Sequence, residues 1–185
     1  MGGRERMKER SIIFSGPMVR AILEGRKTQT RRVVKPQPPE DAILTVDDFG
    51  RCLLGSAHSF WNYVKCPYGA PKNRLWVRET FALESPTCAV YQADQTDKTV
   101  VERWRPSIHM PRCASRITLE IVSVRVERLQ DISEEDALDE GVFLNSTTHW
   151  ATEAREAYHR LWESINGPGS WDKNPWVWVI EFKSI

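Results

Sequence analysis

The segment 116–129 constrains the fold of this chain more than any other. Its first apolar side chains are Ile117, Leu119 and Ile121, which alternate with polar ones. This two-residue period is typical of a strand with one buried face. The alternation then shifts by one residue, to Val122, Val124 and Val126. Because such a shift moves the apolar side chains to the opposite face, the segment predicts a strand with a β-bulge or a sharp bend, as at the corner of a barrel.

Further strands and three helices surround this segment. Ser15 and Pro17 begin a short helix that Gly25 ends. The polar residues that follow predict a loop passing into a strand that Pro36 terminates. An acidic helix is predicted at 133–141, and an amphipathic helix at 152–165. The apolar runs typical of strands lie at 11–14, 75–81, 88–92 and 176–182.

Strands interleaved with short helices predict an α+β fold around a small sheet that is curved or closed. At 185 residues the chain is long enough for one domain. We expect residues 1–10 to be a charged flexible tail and residues 11–185 to form the domain. Weak periodicity and many Pro, Gly, Asp and Ser residues mark 36–73 as an insertion holding one hairpin. Residues 93–112 look irregular, and we expect 84–112 to be a second insertion.

The composition excludes several classes of protein. Hydrophobic residues are 41% and charged residues 28% of the chain, which is ordinary for a globular protein and excludes a wholly disordered one. No apolar run approaches the roughly 20 residues that a membrane span needs. The charged N-terminus lacks the apolar stretch of a signal peptide, so we expect a cytoplasmic protein with no membrane partner. No cofactor-binding motif is present, and no cofactor is predicted.

The charges are unevenly distributed. Residues 1–36 hold ten Lys and Arg against three Glu, a net charge of +7, and the remainder carries −6. A basic region of this size favours a polyanionic partner such as RNA. The alternative is that the two regions fold against each other and cancel.

The four cysteines match no common metal-binding spacing. Cys52, Cys66, Cys88 and Cys113 form no C-x-x-C pair. We therefore expect reduced thiols and no metal site. The alternative is a metal held by Cys52, His58 and Cys66.

A motif that carries chemistry lies at 25–32, with the sequence GRKTQTRR. It resembles the G-x-K-T-x-T-x-R signature of the ASCH family, and it stands where that family has it, after a strand and a short helix. Three more segments resemble ASCH elements in the same order, at 74–79, 129–141 and 176–182. Together with the Ser-Ile-His-Met-Pro run at 107–111, the pattern is most similar to the longer ASCH proteins of phages and prophages.

This resemblance implies a PUA-like small β-barrel with short flanking helices, and a modified nucleoside or RNA as the partner. One bacterial ASCH branch is an amidohydrolase that removes the acetyl group of N4-acetylcytidine. The catalytic lysine, threonine and glutamate of that branch fall on Lys27, Thr30 and Glu140. The side chains expected to bind substrate or RNA are Arg26, Thr28, Arg31, Arg32, Arg78 and Glu79.

The three candidate catalytic residues suit amide hydrolysis. Thr30 supplies a nucleophilic hydroxyl, and Lys27 becomes its base if burial and neighbouring arginines lower the lysine pKa well below about 10.4. Glu140, at the end of an acidic helix, is expected to be protonated and to donate to the leaving nitrogen. The hypothesis requires Lys27 and Glu140 to meet at one cavity.

Other functions fit the same residues, so enzymatic activity is left open at this stage. The arginine-rich segment alone would serve a non-catalytic RNA-binding module, with Glu140 as a surface charge. Arg78 and Glu79 fit either a pocket wall or a cross-strand ion pair. A ribonuclease is the weaker alternative, because Lys, Thr and Glu activate a 2′-hydroxyl poorly and no metal-binding carboxylate cluster is evident.

Overall fold

The protein is mixed α+β, as predicted. A computed structural model describes residues 8–39, 42–47, 49–56, 59–85, 88–94, 101, 103–142 and 153–185. The strands are β1 (Glu9–Ile13), β2 (Gln29–Val33), β3 (Ile43–Val46), β4 (Arg51–Ser56), β5 (Ser59–Lys65), β6 (Arg74–Arg78), β7 (Phe81–Ser85), β8 (Cys88–Tyr91), β9 (Thr118–Arg128) and β10 (Trp176–Ser184). The helices are α1 (Gly16–Leu23), α2 (Glu134–Asp139) and α3 (Glu153–Asn166).

Five strands form the main sheet, in the order β1-β6-β9-β10-β2. The β1–β6 pair is parallel, and the other neighbours are antiparallel. In β9, Ile121 pairs with Phe182 of β10 and Ser123 pairs with Glu181, so Val122 is left without a partner and points outward. The predicted β-bulge is therefore confirmed at the position where the alternation shifts.

Strand β10 of the main sheet is buried on both faces. Trp178 and Ile180 of β10 pack with β1, β6, β9 and α1 on one side. Val177 and Val179 of the same strand pack against α2 and α3 on the other side. Burial of both faces explains why β10 carries an almost continuous apolar run. The alternating apolar residues from Trp176 to Phe182 lie on only one of the two faces.

The sheet does not close into a barrel by strand pairing in the described part of the chain. Its edge strands are β1 and β2, which approach each other closely enough for Arg32 Nη2 to donate a hydrogen bond to the Ile13 carbonyl over 2.8 Å. The α+β class is thus established, while the described strands form a curved open sheet in place of the expected closed barrel.

The inserted segments contain more sheet than expected. Segment 36–73 holds the three-stranded antiparallel sheet β3-β4-β5, where a single hairpin was predicted, because its weak alternation hides strands that pair mainly with one another. Strands β7 and β8 pair separately, and the predicted strand at 75–81 is divided between β6 and β7. Of the predicted flexible tail, residues 1–7 lie outside the described residues, and β1 begins at Glu9.

Candidate active site

The turn after α1 sets the position of Lys27. Pro17 stands in the first turn of α1, and Gly25 adopts a φ of 73° that ends the helix. The backbone N–H groups of Arg26 and Lys27 then both donate to the Ala21 carbonyl, at 2.8 and 3.0 Å. These bonds fold the chain back over α1, so that Lys27 enters the protein interior two residues before β2.

The end of α2 brings Glu140 to the same place. The Ser133 side chain caps α2 by accepting from the Asp136 N–H, and Gly141 follows Glu140 with a φ of 81°. Lys27 and Glu140 form an antiparallel backbone bridge, and the Thr28 N–H donates to the Asp139 carbonyl over 2.9 Å. Main-chain pairing thus joins two residues that are 113 positions apart.

Lys27 is paired with Glu140 inside the protein, and its side chain has no solvent exposure. Its Nζ donates to Glu140 Oε2 at 2.7 Å, to the Glu140 carbonyl at 2.7 Å and to the Gln29 carbonyl at 2.8 Å. Burial lowers the pKa of Lys27 from its ordinary 10.5, and the Glu140 carboxylate opposes that shift. The lowered pKa is the direction that the catalytic hypothesis requires of a lysine base.

Arg31 is a second buried cation beside Glu140. Its Nη1 lies 3.4 Å from Glu140 Oε1, and its Nη2 lies 2.6 Å from Glu127 and 3.1 Å from Asp136. The expected acidic surroundings of Glu140 are therefore wrong, because Asp136 pairs with arginines while Glu140 faces two cations. This network fixes the Glu140 carboxylate in place.

Tyr158 of α3 also reaches Glu140. Its hydroxyl lies 3.4 Å from Oε1, and burial raises its pKa well above 10.0, so that the hydroxyl stays protonated and donates. The amphipathic pattern of α3 predicted only core packing for this residue. A tyrosine on an apolar helix face was the available signal, because its hydroxyl needs a partner when it is buried.

Thr30 and Glu140 line one cavity of about 60 Å³, which has room for about two water molecules. Thr30 is buried on β2, opposite Ile180 of β10. Arg31, Arg32 and Tyr158 supply further polar lining, and Met18, Leu161 and Trp162 are among the apolar lining residues. Lys27 stands behind Glu140, in contact with it and shielded from solvent. The predicted trio is thus assembled, with two members at the cavity and the third bonded to one of them.

The remaining residues of the motif take different positions. Arg26 is exposed and pairs with Glu24. Thr28 contributes main-chain bonds, because its carbonyl accepts from the Phe182 N–H at 2.8 Å. Arg32 lines the cavity, with its guanidinium carbon 5.4 Å from the centre of the Phe14 ring.

Arg78 and Glu79 do not line this cavity. Glu79 is buried and receives two hydrogen bonds from Arg116, at 2.9 and 3.0 Å. Arg78 donates to the Ile108 carbonyl and lies over the Trp76 ring. Of the two interpretations of Glu79, the structure shows the ion pair, although its partner is Arg116, which precedes β9.

The described residues contain no cluster of three or more side chains suited to a metal ion. Cys52 and Cys66 are buried, free thiols, and burial raises the pKa of Cys52 to about 11. His58, the third member of the alternative metal set, lies outside the described residues. In the same described ranges, no helix is both long and apolar enough to cross a bilayer.

No family model, curated protein or solved structure matches the chain. The class that the fold and site define is an α+β protein with a buried Lys–Glu pair behind a small hydroxyl-lined cavity.

Proposed function

We propose that this chain is an amidohydrolase that removes an acyl group from N4-acetylcytidine or a related N-acylated nucleoside. The observation that carries the proposal is that Thr30 and Glu140 line one small cavity while Lys27 is bonded to Glu140. The proposal includes a PUA-like barrel of the ASCH type. The Arg32 bond that links the two edge strands of the curved sheet supports that fold.

The Lys27–Glu140 contact provides both a base and an acid. Transfer of one proton from Nζ to Oε2, along the 2.7 Å hydrogen bond, converts the ion pair into a neutral amine and a carboxylic acid. Burial favours the neutral amine because it lowers the pKa of Lys27, although the Glu140 carboxylate opposes that shift. Arg31 and Tyr158 hold the carboxyl group during the exchange.

The reaction then follows acyl transfer to a hydroxyl. The neutral Lys27 amine takes the Thr30 proton while Oγ1 bonds to the acyl carbon. The C–N bond breaks, and Glu140 gives its proton to the departing nitrogen, which leaves as the 4-amino group of cytidine. Water hydrolyses the acyl-threonine, releasing the acid and restoring the hydroxyl.

The cavity volume fits the acyl group alone. A volume of about 60 Å³ has room for about two water molecules, and an acetyl group is of similar size. A base and a sugar are too large for it. The nucleoside would therefore lie outside, against the rim that Arg32 and Asn166 share with a larger neighbouring depression. A small cavity also favours short acyl groups over long ones.

The first experiment is incubation with N4-acetylcytidine, with cytidine release followed by chromatography. Thr30→Ala and Lys27→Ala are each expected to reduce turnover by about a thousandfold or more, the scale of losing a nucleophile or its base. Thr118→Ala is the matched control, because Thr118 is another strand threonine of the same sheet and lies away from the cavity. Wild-type turnover in Thr30→Ala, with the folded state verified by circular dichroism, would refute the mechanism.

The second candidate is a non-catalytic RNA-binding module. The three hydrogen bonds of Lys27 favour it, because they occupy every N–H of the ammonium group. A lysine bonded in this way suits a structural ion pair better than a catalytic base. This candidate predicts RNA binding without any release of cytidine from N4-acetylcytidine. The chromatographic assay therefore separates the two functions.

A further inference from the structure

Two further depressions extend the cavity across the surface. A depression of about 480 Å³ shares Arg32, Val33 and Asn166 with the cavity. A third, of about 290 Å³, shares Lys65 with the second. The lining residues thus run from β2, through Lys65, to the inserted strands β4 and β5 and the start of β1. We call the second and third depressions together the basic track.

The lining of the basic track is strongly cationic. Its charged residues among those described are all basic: Lys8, Arg10, Arg32, Lys35, Arg51 and Lys65. Lys8, Lys35 and Lys65 are exposed, and none of them pairs with a described carboxylate. Arg10 is held by the carbonyls of Cys66 and Pro67, and Arg51 pairs with Asp47 at 2.6 Å. The track thus offers exposed ammonium groups together with guanidinium groups, two of which are held by the protein itself.

Aromatic side chains accompany these charges. Phe49 lines the far end of the track with 59% of its surface exposed, and the Arg51 guanidinium lies 5.2 Å from its ring centre. Tyr68 lines the middle depression. A groove that combines cations in a row with exposed aromatic rings suits a single-stranded nucleic acid, whose phosphates meet the cations while its bases stack. An acidic polypeptide would use the cations but has less need of an exposed ring.

We propose that the basic track binds the backbone of single-stranded RNA and leads one nucleotide to the cavity. Its second half rests on the proposed function, since it makes the substrate an acylated cytidine within an RNA chain. The insertion 36–73 then has a role, because it supplies Phe49, Arg51 and Lys65. The binding half stands on the track alone.

The test measures binding of a fluorescent single-stranded RNA of about 10 nucleotides, within the range that single-strand sites cover, over a salt series. Lys35→Glu and Lys65→Glu are each expected to weaken binding about tenfold or more. Each is also expected to reduce the slope of log K against log salt by about 0.7, the value for one phosphate contact on a single strand. Lys173→Glu is the matched control: this lysine is equally exposed and lies off the track.

A second variant tests the stacking component. Phe49→Ala is expected to weaken RNA binding several-fold at an unchanged salt slope, because stacking releases no counterions. Polyglutamate serves as the acidic polypeptide probe. Equal competition by polyglutamate, or track variants that bind RNA as tightly as Lys173→Glu, would overturn the proposal.

The outcome is separable from that of the proposed function. RNA binding that depends on Lys35 and Lys65, without deacetylation of N4-acetylcytidine either as the free nucleoside or within the RNA oligonucleotide, supports the track and contradicts the hydrolase. Hydrolysis of the free nucleoside by a protein that binds no RNA contradicts the track and leaves the hydrolase standing.

Discussion

Two buried glutamates, Glu140 and Glu79, invite comparison because each lies within a few residues of a strand or helix end and faces an arginine. Glu79 pairs with Arg116, whose side chain is 24% exposed and is shared with the half-exposed Asp94. Glu140 pairs with Lys27 and Arg31, whose side chains are both fully buried. The cation of the first pair is open to bulk solvent, whereas neither cation of the second pair is.

The difference concerns what each carboxylate adjoins. Glu140 lines a cavity together with Thr30, and Glu79 lines none of the cavities described above. Burial and an ion pair are common to both, so neither feature alone marks a functional site. What sets Glu140 apart is that it contacts a lysine with a lowered pKa and lines a small cavity together with Thr30.

The largest effect expected from this comparison is on stability. Glu140→Gln leaves Lys27 and Arg31 as buried cations without their shared carboxylate, which is expected to cost about 3–5 kcal/mol. Glu79→Gln leaves Arg116 beside Asp94 and solvent, and about 1–2 kcal/mol is expected, close to the value of a charged hydrogen bond. Urea unfolding measures both. Equal costs would contradict the view that access to water separates the two pairs.

A smaller effect is expected at the glycine that follows Glu140. Gly141 has a φ of 81°, and a Cβ there would lie 2.8 Å from Lys27 Cβ and 2.9 Å from Ala21 Cβ. Gly141→Ala combines backbone strain with a clash, and about 2–4 kcal/mol is expected.

Gly25→Ala is the matched control, because Gly25 has a similar φ of 73° and open space around its Cβ position. Strain alone predicts about 1–2 kcal/mol for this variant. Thermal unfolding measures the stability lost by each variant. The difference between the two losses is the cost of the clash with Lys27 and Ala21. If both variants lose the same stability, the close approach of Gly141 to Lys27 has no energetic weight.

The sequence predicts those features whose cause is local. The phase shift in 116–129 is a property of consecutive residues, and it locates the bulge at Val122. Ser133 and Gly141 delimit α2 in the same local way. Lys27, Thr30 and Glu140 were chosen by family resemblance, and the structure brings these three together without testing their roles.

Features that depend on distant contacts could not be predicted in this way. From the sequence, Arg31 is predicted to bind substrate or RNA at the surface. It is buried instead, because Glu127 of β9 and Asp136 of α2 pair with it. Tyr158 reads as core, yet it reaches Glu140. Strands β3 to β5 escape prediction because they pair mostly with one another and show weak alternation. In each case the partner lies far away in sequence.

The N-terminal cap of α2 also distinguishes the two glutamates, because α2 positions Glu140 and no helix positions Glu79 in this way. The Ser133 side chain accepts from the Asp136 N–H at 3.0 Å, so Ser133→Ala is expected to cost about 1 kcal/mol. Ser15 stands at the same position before α1 but its side chain makes no capping hydrogen bond, so Ser15→Ala is expected to cost only roughly a few tenths of a kcal/mol. Urea unfolding compares the two. A larger loss in Ser15→Ala would be inconsistent with the capping geometry.

The smallest effect concerns the acid limb of stability. Burial raises the pKa of Asp136, but the Gln29 hydrogen bond and the charges of Arg31 and Arg125 outweigh it and hold the pKa below the ordinary 3.8. A carboxylate with a lowered folded pKa stabilises the protein above its unfolded pKa, and this contribution is lost as pH falls through the folded value. Asp136→Asn is therefore expected to reduce stability by about 1 kcal/mol near neutral pH. The difference from wild type should shrink below pH 3.8, as measured by urea unfolding across a pH series. A difference that stays constant into strong acid would mean that Asp136 stabilises the Arg31 network by hydrogen bonding alone, and the charge of that carboxylate would then have no part in holding Glu140 at the cavity.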